Sequence, residues 1–388
     1  MNRPARPASL LLAATFLAAA FLAGCGSAAS RTTTPATPAK PPSLATSVAT
    51  TTGTWAVAVM GGSAASHNNF WQLFVRPAGS STWRLATPPG VASNGGLVLA
   101  GRASGAMLAG FRPSQRLSYS PLAATTDNGK SWSPGLLDAG LADVPGALAA
   151  GPADGRLLAL LADGTAEMSG PRGTAWTRLT TRRALATSPA GGRCQPESLT
   201  AAAFSPSGQP LLGAGCGRPG TAAIFSRTGR TWQLTGPVLP AAYSHQAITV
   251  LRLTTTGGTT TALLAAGTGP ATRLLAGWSA DGGAHWTLAL ALPLNGATLT
   301  TASSGPDSSL AITLSRGRAA VIISAAGSWK PLPVLPPGTA TLAPSPSGGW
   351  NALAVHGTQL TIWQTAPGAP SWASVQTLNV PVPFGSSG

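Results

Sequence analysis

The hydrophobic positions of the chain fall into many short runs that are separated by polar turns. One stretch shows the pattern clearly, with apolar runs at residues 147–150, 157–161, 165–169 and 176–179. Gly155 and Gly164 lie between these runs, each directly after an aspartate. Short apolar runs bounded by such turn residues predict β-strands joined by tight turns. Residues 298–332 repeat the arrangement, so the pattern predicts antiparallel sheets of four strands.

A tryptophan marks the last strand of each predicted sheet. Seven of them follow one another at intervals of 43 to 56 residues, namely Trp83, Trp132, Trp176, Trp232, Trp286, Trp329 and Trp372. The mean interval is about 48 residues, and residues 53–388 hold seven units of that length. Four antiparallel strands in a repeat of this length are typical of a propeller blade. The sequence therefore predicts an all-β, seven-bladed β-propeller of four-stranded antiparallel blades over residues 53–388.

The two ends of this predicted ring differ. The first unit begins directly at Thr54 and lacks a run for an innermost strand, whereas the tail Leu378–Phe384 alternates apolar and polar positions. Pro381 and Pro383 lack backbone N–H groups and suit an edge position. We therefore expect the C-terminal strand to join the first blade and close the ring.

Two of the tryptophan phrases share a turn motif. Residues 125–132 read TTDNGKSW and residues 279–286 read SADGGAHW. Both resemble the Asp-box, S-x-D-x-G-x-[ST]-W, of the BNR-repeat, sialidase-like propellers. The aspartate of such a turn accepts backbone hydrogen bonds, the glycine allows a positive φ and the tryptophan packs between sheets. The predicted structural residues are Asp127, Gly129, Trp132, Asp281, Gly283 and Trp286.

Residues 53–388 are also similar in pattern to the exported propellers of the photosystem II stability and assembly factor group. This resemblance implies a binding or assembly role without catalysis. No functional residue of that group can be transferred to a numbered position of this chain.

The composition agrees with a fold made of many strands and turns. The chain has 48 Gly and 35 Pro, and charged residues make up only 9%. So few charges exclude a charge-extended disordered protein, and so many Gly and Pro exclude a helix bundle. The net charge of +15 comes from 24 basic and 9 acidic residues. The arginines are scattered singly along the chain, which argues against a nucleic-acid partner.

The first 25 residues resemble a bacterial lipoprotein signal. Arg3 and Arg6 precede an apolar run from Leu10 to Leu22, and the run ends in Leu-Ala-Gly-Cys25. The run is too short to span a membrane and suits a secretory signal. The resemblance implies that residues 1–24 are removed and that Cys25 carries lipid on the extracytoplasmic face of the cell membrane. The Thr- and Pro-rich residues 25–52 are expected to form a flexible tether.

Two cysteines remain besides Cys25. Cys194 and Cys216 flank a predicted hairpin whose turn lies near Pro206, so they lie nearly opposite each other. In an oxidising compartment we expect a disulfide between them. The four histidines stand apart from one another and show no zinc-type spacing. The sequence predicts neither a metal site nor a cofactor.

Two functions fit such a propeller. An exo-sialidase or another glycoside hydrolase would need a Tyr–Glu pair, an acidic residue and three arginines, whereas the chain has only two Tyr, Tyr119 and Tyr243, and two Glu, Glu167 and Glu197, with no supporting spacing. We favour a monomeric binding module, without catalysis, for a protein or an anionic cell-envelope polymer. The candidate anion-binding face carries Arg112, Arg116, Arg182 and Arg183.

Overall fold

The computed structural model describes residues 46–61, 69–91, 95–102, 104–112, 117–152, 154–322 and 327–381. Regular structure in these ranges is almost entirely antiparallel β-strand. Strands that follow one another along the chain pair with one another, so the sheets are built of meanders that each start at an innermost strand. This is the arrangement that the alternation of apolar runs and Gly-containing turns predicts.

The first three sheets have four strands each. The first sheet consists of β1 (Ser47–Thr50), β2 (Gly53–Gly61), β3 (Asn69–Pro77) and β4 (Arg84–Leu85). The second consists of β5 (Leu97–Gly101), β6 (Met107–Phe111), β7 (Ser120–Thr125) and β8 (Ser133–Leu137). The third consists of β9 (Leu148–Ala150), β10 (Leu157–Leu160), β11 (Thr165–Ser169) and β12 (Trp176–Thr181).

Two short helices, α1 (Arg182–Thr187) and α2 (Pro189–Gly192), lead into a nine-stranded sheet. Its first meander is β13 (Pro196–Phe204), β14 (Pro210–Cys216), β15 (Ala223–Thr228) and β16 (Thr231–Leu234). Its second is β17 (Ile248–Thr256), β18 (Thr259–Ala266), β19 (Arg273–Ser279), β20 (Thr287–Leu288) and β21 (Leu292–Pro293), the last two both pairing with β19. A single residue pair, Gly215 with Thr249, joins the meanders.

The last two sheets again have four strands. One consists of β22 (Leu299–Ser304), β23 (Leu310–Leu314), β24 (Arg318–Ile322) and β25 (Lys330–Pro331). The other consists of β26 (Thr339–Pro344), β27 (Trp350–His356), β28 (Gln359–Thr365) and β29 (Ala373–Asn379). Dividing the nine-stranded sheet at its single joining pair gives seven meanders over the described residues.

Apolar side chains fill the spaces between neighbouring sheets. Trp55 of β2 is completely buried, and its ring meets the edge of Trp132 from the second sheet at 6.1 Å between centroids. Phe111 and Leu97 of the second sheet belong to the same buried cluster. Because both faces of a sheet pack against a neighbour, the strands contain few charged residues, which explains the low charged fraction of the chain.

Over the described residues, the first and last sheets meet without sharing a strand. Met60 and Phe74 of the first sheet pack with Leu353 and Ile362 of the last one. At the outer edge the amide side chain of Gln376 forms hydrogen bonds with both the backbone N–H and the backbone carbonyl of Trp83. The Trp83 N–H donates to Gln376 Oε1 at 2.7 Å, and Gln376 Nε2 donates to the Trp83 carbonyl at 2.8 Å. Side chains, rather than a common ladder, close the ring.

Two expectations about the ends of the ring are wrong. Ser47–Thr50, expected to belong to the tether of residues 25–52, form β1 and pair with Gly53–Ala56. Of the expected closing strand Leu378–Phe384, Leu378 and Asn379 belong to β29, which pairs with β28 of its own sheet, and residues 382–384 lie outside the described residues. The innermost place beside β2 is taken by β1 itself, and Val48 and Thr50 of β1 pack against Gly101 of the second sheet. The space beside the second sheet is thus already filled.

Candidate ligand-binding cavity

The innermost strands surround a cavity of about 540 Å³. Six of these strands contribute to its wall, namely β1, β5, β9, β13, β17 and β22. The turns that follow these strands also line it, including Thr51, Pro206 and Pro306. We call the side of the molecule that carries these turns the inner-turn face, and the cavity reaches it. Cavities of a few hundred Å³ are the size that proteins use for small ligands.

The wall of the cavity is mainly apolar. Val48, Leu99, Leu148 and Phe204 line it together with several alanines and glycines. Two threonine hydroxyls of β17 join neighbouring meanders. Thr255 Oγ1 donates to the Phe204 carbonyl at 2.5 Å, and the hydroxyls of Thr254 and Ser304 share a hydrogen bond of 3.0 Å. These bonds link three successive innermost strands and hold the wall in place.

Arg252 of β17 reaches across this group of strands to β1. Its side chain is 5% exposed, and its guanidinium donates to Thr46 Oγ1 at 2.8 Å and to the Ser47 carbonyl at 3.4 Å. Ser47 is the cavity-lining residue of β1 that lies farthest from Thr51, so the guanidinium marks the inner end of the cavity. Burial lowers the pKa of Arg252 to about 10, so the group keeps its charge at neutral pH.

The charged residues in the described lining are Arg252 and Arg102, both basic. Arg102 follows β5 near the inner-turn face, is half-buried and donates to the Pro171 carbonyl. Burial also lowers its pKa. Thr46 Oγ1 and the Ser47 carbonyl are uncharged, so the cavity contains a buried positive charge that no carboxylate of the described lining balances. Sequence patterns did not indicate either residue, because Arg252 is simply a charged position inside an apolar run.

The structure describes three of the four arginines of the predicted anion-binding face. Arg112 is 7% exposed, forms an ion pair with Asp143 and stacks on Trp71 at 5.3 Å from the ring centroid. Burial lowers the pKa of Arg112 to about 10. The expectation that it lies on an open face is therefore wrong. Arg182 and Arg183 are exposed at the start of α1, and Arg116 lies outside the described residues.

Other arginines connect neighbouring sheets instead of forming a basic surface. Arg76 of β3 donates to the Pro344 carbonyl of β26 at 3.1 Å and lies over the Trp83 ring. Arg156 donates to the Gly208 carbonyl at 2.8 Å, and Arg84 donates to the Asn128 carbonyl. Each bond crosses from one sheet to the next. Much of the positive charge counted in the sequence is thus used between sheets.

The turn at Asp127 is held by its carboxylate. The Lys130 and Ser131 N–H groups donate to Asp127 Oδ1 at 2.9 and 3.0 Å, and the Ser131 hydroxyl donates to Oδ2 at 2.6 Å. The bonds from Ser131 hold the pKa of Asp127 below its usual range. Gly129 has a φ of 78°, and a Cβ there would press on the Trp132 and Trp55 rings.

The turn at Asp281 has the same design with a different partner. The His285 N–H donates to Asp281 Oδ1 at 2.9 Å, and His285 Nδ1 lies 2.6 Å from Oδ2. These bonds hold the pKa of Asp281 below its usual range. Gly283 has a φ of 99°, and Trp286 Nε1 donates to the Thr235 carbonyl at 2.6 Å. In both turns the aspartate carboxylate accepts hydrogen bonds from backbone N–H groups of the turn, so its role is structural.

The disulfide between Cys194 and Cys216 is confirmed, with a Cα–Cα distance of 5.0 Å. Cys216 ends β14, whereas Cys194 follows α2. The Thr181 and Ser188 hydroxyls cap the two helices by accepting from the N–H groups of Ala184 and Gly191. The sequence pattern did not predict these helices. They bring the chain back so that Cys194 reaches the hairpin.

The residues considered for a glycosidase do not form one site. Tyr243 is buried in a 3₁₀ turn, whereas Tyr119 is 39% exposed just before β7. Glu167 lies in β11, where burial raises its pKa, and Glu197 lies in β13. Within the described ranges no hydrogen bond joins a Tyr to a Glu. The same ranges contain no cluster of three His, Cys, Asp or Glu that could hold a metal ion, and no helix there is long and apolar enough to cross a membrane.

No family model matches the chain, and no curated protein matches it. Several solved structures do match the chain. A GH74 xyloglucanase from Xanthomonas campestris aligns with 84% of the chain at 13% identity and a TM-score of 0.56, and the chain covers 53% of that enzyme. A putative 6-phosphogluconolactonase from Bacteroides uniformis aligns with 84% of the chain at 13% identity and a TM-score of 0.51, with 96% of its own length covered.

YCF48 from Cyanidioschyzon merolae aligns with 86% of the chain at 13% identity and a TM-score of 0.50, with 98% of its own length covered. Identities this low establish the fold alone. Together with the consecutive antiparallel meanders, they show that the chain is a β-propeller built from four-stranded antiparallel sheets.

Proposed function

We propose that this protein is a lipid-anchored, extracytoplasmic binding or assembly module for a protein or an anionic cell-envelope polymer. The fold alone does not decide the matter, because propellers serve both as enzymes and as binding proteins. The observation that supports the proposal is the cavity. It combines an apolar wall, a mouth on the inner-turn face and two basic side chains, which is a composition that suits binding.

The alternative, a sialidase-like glycoside hydrolase, would place acidic groups around the substrate. The described lining of the cavity contains two arginines and no acidic residue. Asp127 and Asp281 are engaged in their own turns. A fluorogenic sialoside assay on the purified protein tests this alternative, and turnover would favour it over binding.

Blocking the mouth of the cavity should abolish partner capture. Thr256 lines the cavity at the end of β17, whereas Thr259 pairs with it across the same hairpin and is not part of the lining. We expect Thr256→Trp to remove at least about nine-tenths of a partner crosslinked from the cell envelope, because an indole ring would fill the mouth. Crosslinking followed by quantitative mass spectrometry measures the effect.

Thr259→Trp is the matched control, since it adds the same ring to the same hairpin outside the cavity. A partner that both variants retain, or that both lose, would contradict a binding site in the cavity.

Replacing Cys25 should release the protein from membranes. An acyl chain contributes about 0.8 kcal/mol of membrane affinity per buried CH₂, so Cys25→Ala should move the protein from the membrane fraction to the soluble fraction. Fractionation and detergent-phase partitioning measure this change. The double variant Cys194→Ala/Cys216→Ala is the control, because it lacks two cysteines but keeps Cys25. Membrane retention of Cys25→Ala would refute the lipid anchor.

A further inference from the structure

We infer that the cavity binds a carboxylate group carried on a small apolar body. The inference rests on the proposed function, because it names the ligand chemistry of the same cavity. Its basis is the buried guanidinium of Arg252, together with the apolar wall that leads to it.

Arg252 lacks the partner that a buried arginine normally has. Its guanidinium donates to a hydroxyl and a carbonyl, and its Nε has no hydrogen-bond partner among the described residues. The buried hydroxyl of Ser47, beside it in the lining, also lacks a partner. Removing an ion from water is costly unless an opposite charge compensates. Arg112, in contrast, has Asp143. An anion at the inner end of the cavity would supply the missing compensation.

The positive charge of Arg252 and the apolar wall of the cavity together indicate which kind of anion would bind. Arg252 is one positive charge at the inner end, which matches a monoanion better than a phosphate dianion. A guanidinium also presents a fork of N–H groups that fits the two oxygens of a carboxylate. Between Arg252 and the mouth the ligand meets Val48, Leu148 and Phe204. A hydrated sugar acid would lose water against this wall, whereas an aliphatic body would gain from contact with it.

Arg102 adds a second positive charge nearer the mouth. Charges of one sign in a cleft with low-dielectric walls raise the local concentration of the opposite ion. Arg102 should therefore assist entry in a salt-dependent way, while Arg252 determines which group is held. The same carboxylate chemistry could arrive on a free acid or at the end of a bound peptide.

The experiment compares acids with their neutral amides on the purified full-length protein. Titration calorimetry with hexanoate and hexanamide, and with N-acetyl-leucyl-leucine and its amide, should show each acid binding at least about tenfold more tightly than its amide. The tighter of the two acids identifies the source of the carboxylate. Binding of glucuronate more tightly than hexanoate would overturn the requirement for an apolar body.

Variants of Arg252 then test whether its positive charge binds the carboxylate. Arg252→Gln should weaken hexanoate binding by at least about tenfold, and Arg252→Lys should weaken it less. Arg156→Gln is the matched control, because Arg156 also joins two sheets but does not line the cavity. Since Arg252 also holds β1, its variants need a check of folding by circular dichroism. If they do not fold, the comparison of acid with amide on the unaltered protein still decides.

Acids and amides that bind equally, or acids that do not bind at all, would overturn the inference. If partner capture still depended on Thr256 in that case, the proposed binding function would stand without it. Hexanoate binding without any Thr256-dependent capture would support the carboxylate site and refute the macromolecular partner.

Discussion

A chain that begins at Gly53 should be less stable than one that begins at Thr46 by on the order of 5 kcal/mol. The shorter chain loses β1, whose four residues pair with β2. It also lacks Thr46 and Ser47, whose oxygens accept hydrogen bonds from Arg252. A backbone hydrogen bond contributes about 1 kcal/mol net, and a buried charged group without partners costs about 3 kcal/mol or more. The sum is a large part of the stability of an ordinary domain.

Thermal and urea unfolding of the two chains, followed by tryptophan fluorescence, measure the difference. We expect the midpoint of thermal unfolding to fall by roughly 10 °C. The comparison contains its own control, because the two chains differ only in residues 46–52. Equal midpoints would show that β1 adds nothing to the ring.

Removing the disulfide should cost about 3 kcal/mol of unfolding free energy. The bond joins residues separated by 22 positions, and closing a loop of that length lowers the entropy of the unfolded chain by an amount of this size. Cys194→Ala/Cys216→Ala is the suitable variant, because both positions are almost fully buried and alanine adds no polar atom there. Urea unfolding should show a lower midpoint.

A reducing agent provides the control for the disulfide. It should lower the midpoint of the original protein to that of the double variant and leave the variant unchanged. A loss below about 1 kcal/mol would mean that α1, α2 and the hairpin hold together without the bond.

The interior of each sheet could be predicted from the sequence because its information is local. The four strands expected at residues 147–179 lie within two residues of β9 to β12. Apolar runs and Gly turns specify a meander without reference to the rest of the chain. The origin of β1 could not be predicted this way. Ser47–Thr50 contain small residues like those before them, and what makes them a strand is pairing with Gly53–Ala56 of β2.

The cavity could not be predicted from the sequence for a related reason. Six innermost strands from five sheets form its wall, so no short segment contains a recognisable motif. The sequence shows which residues are arginines, but it does not show which groups each arginine contacts. Arg112 and Arg252 are both buried, yet one faces Asp143 and the other faces only neutral oxygens. That difference, which gives the candidate site its chemistry, depends on residues distant in the chain.

The side-chain junction at Gln376 and Trp83 has a consequence for the order of folding. Because the first and last sheets share no strand in the part of the chain that the structure describes, each sheet there is complete once its own consecutive segment is available. No strand has to wait for the far end of the chain, which avoids the slow formation of very long-range backbone pairing. The sheets can assemble one after another as the polypeptide emerges, and the last to arrive docks against the first.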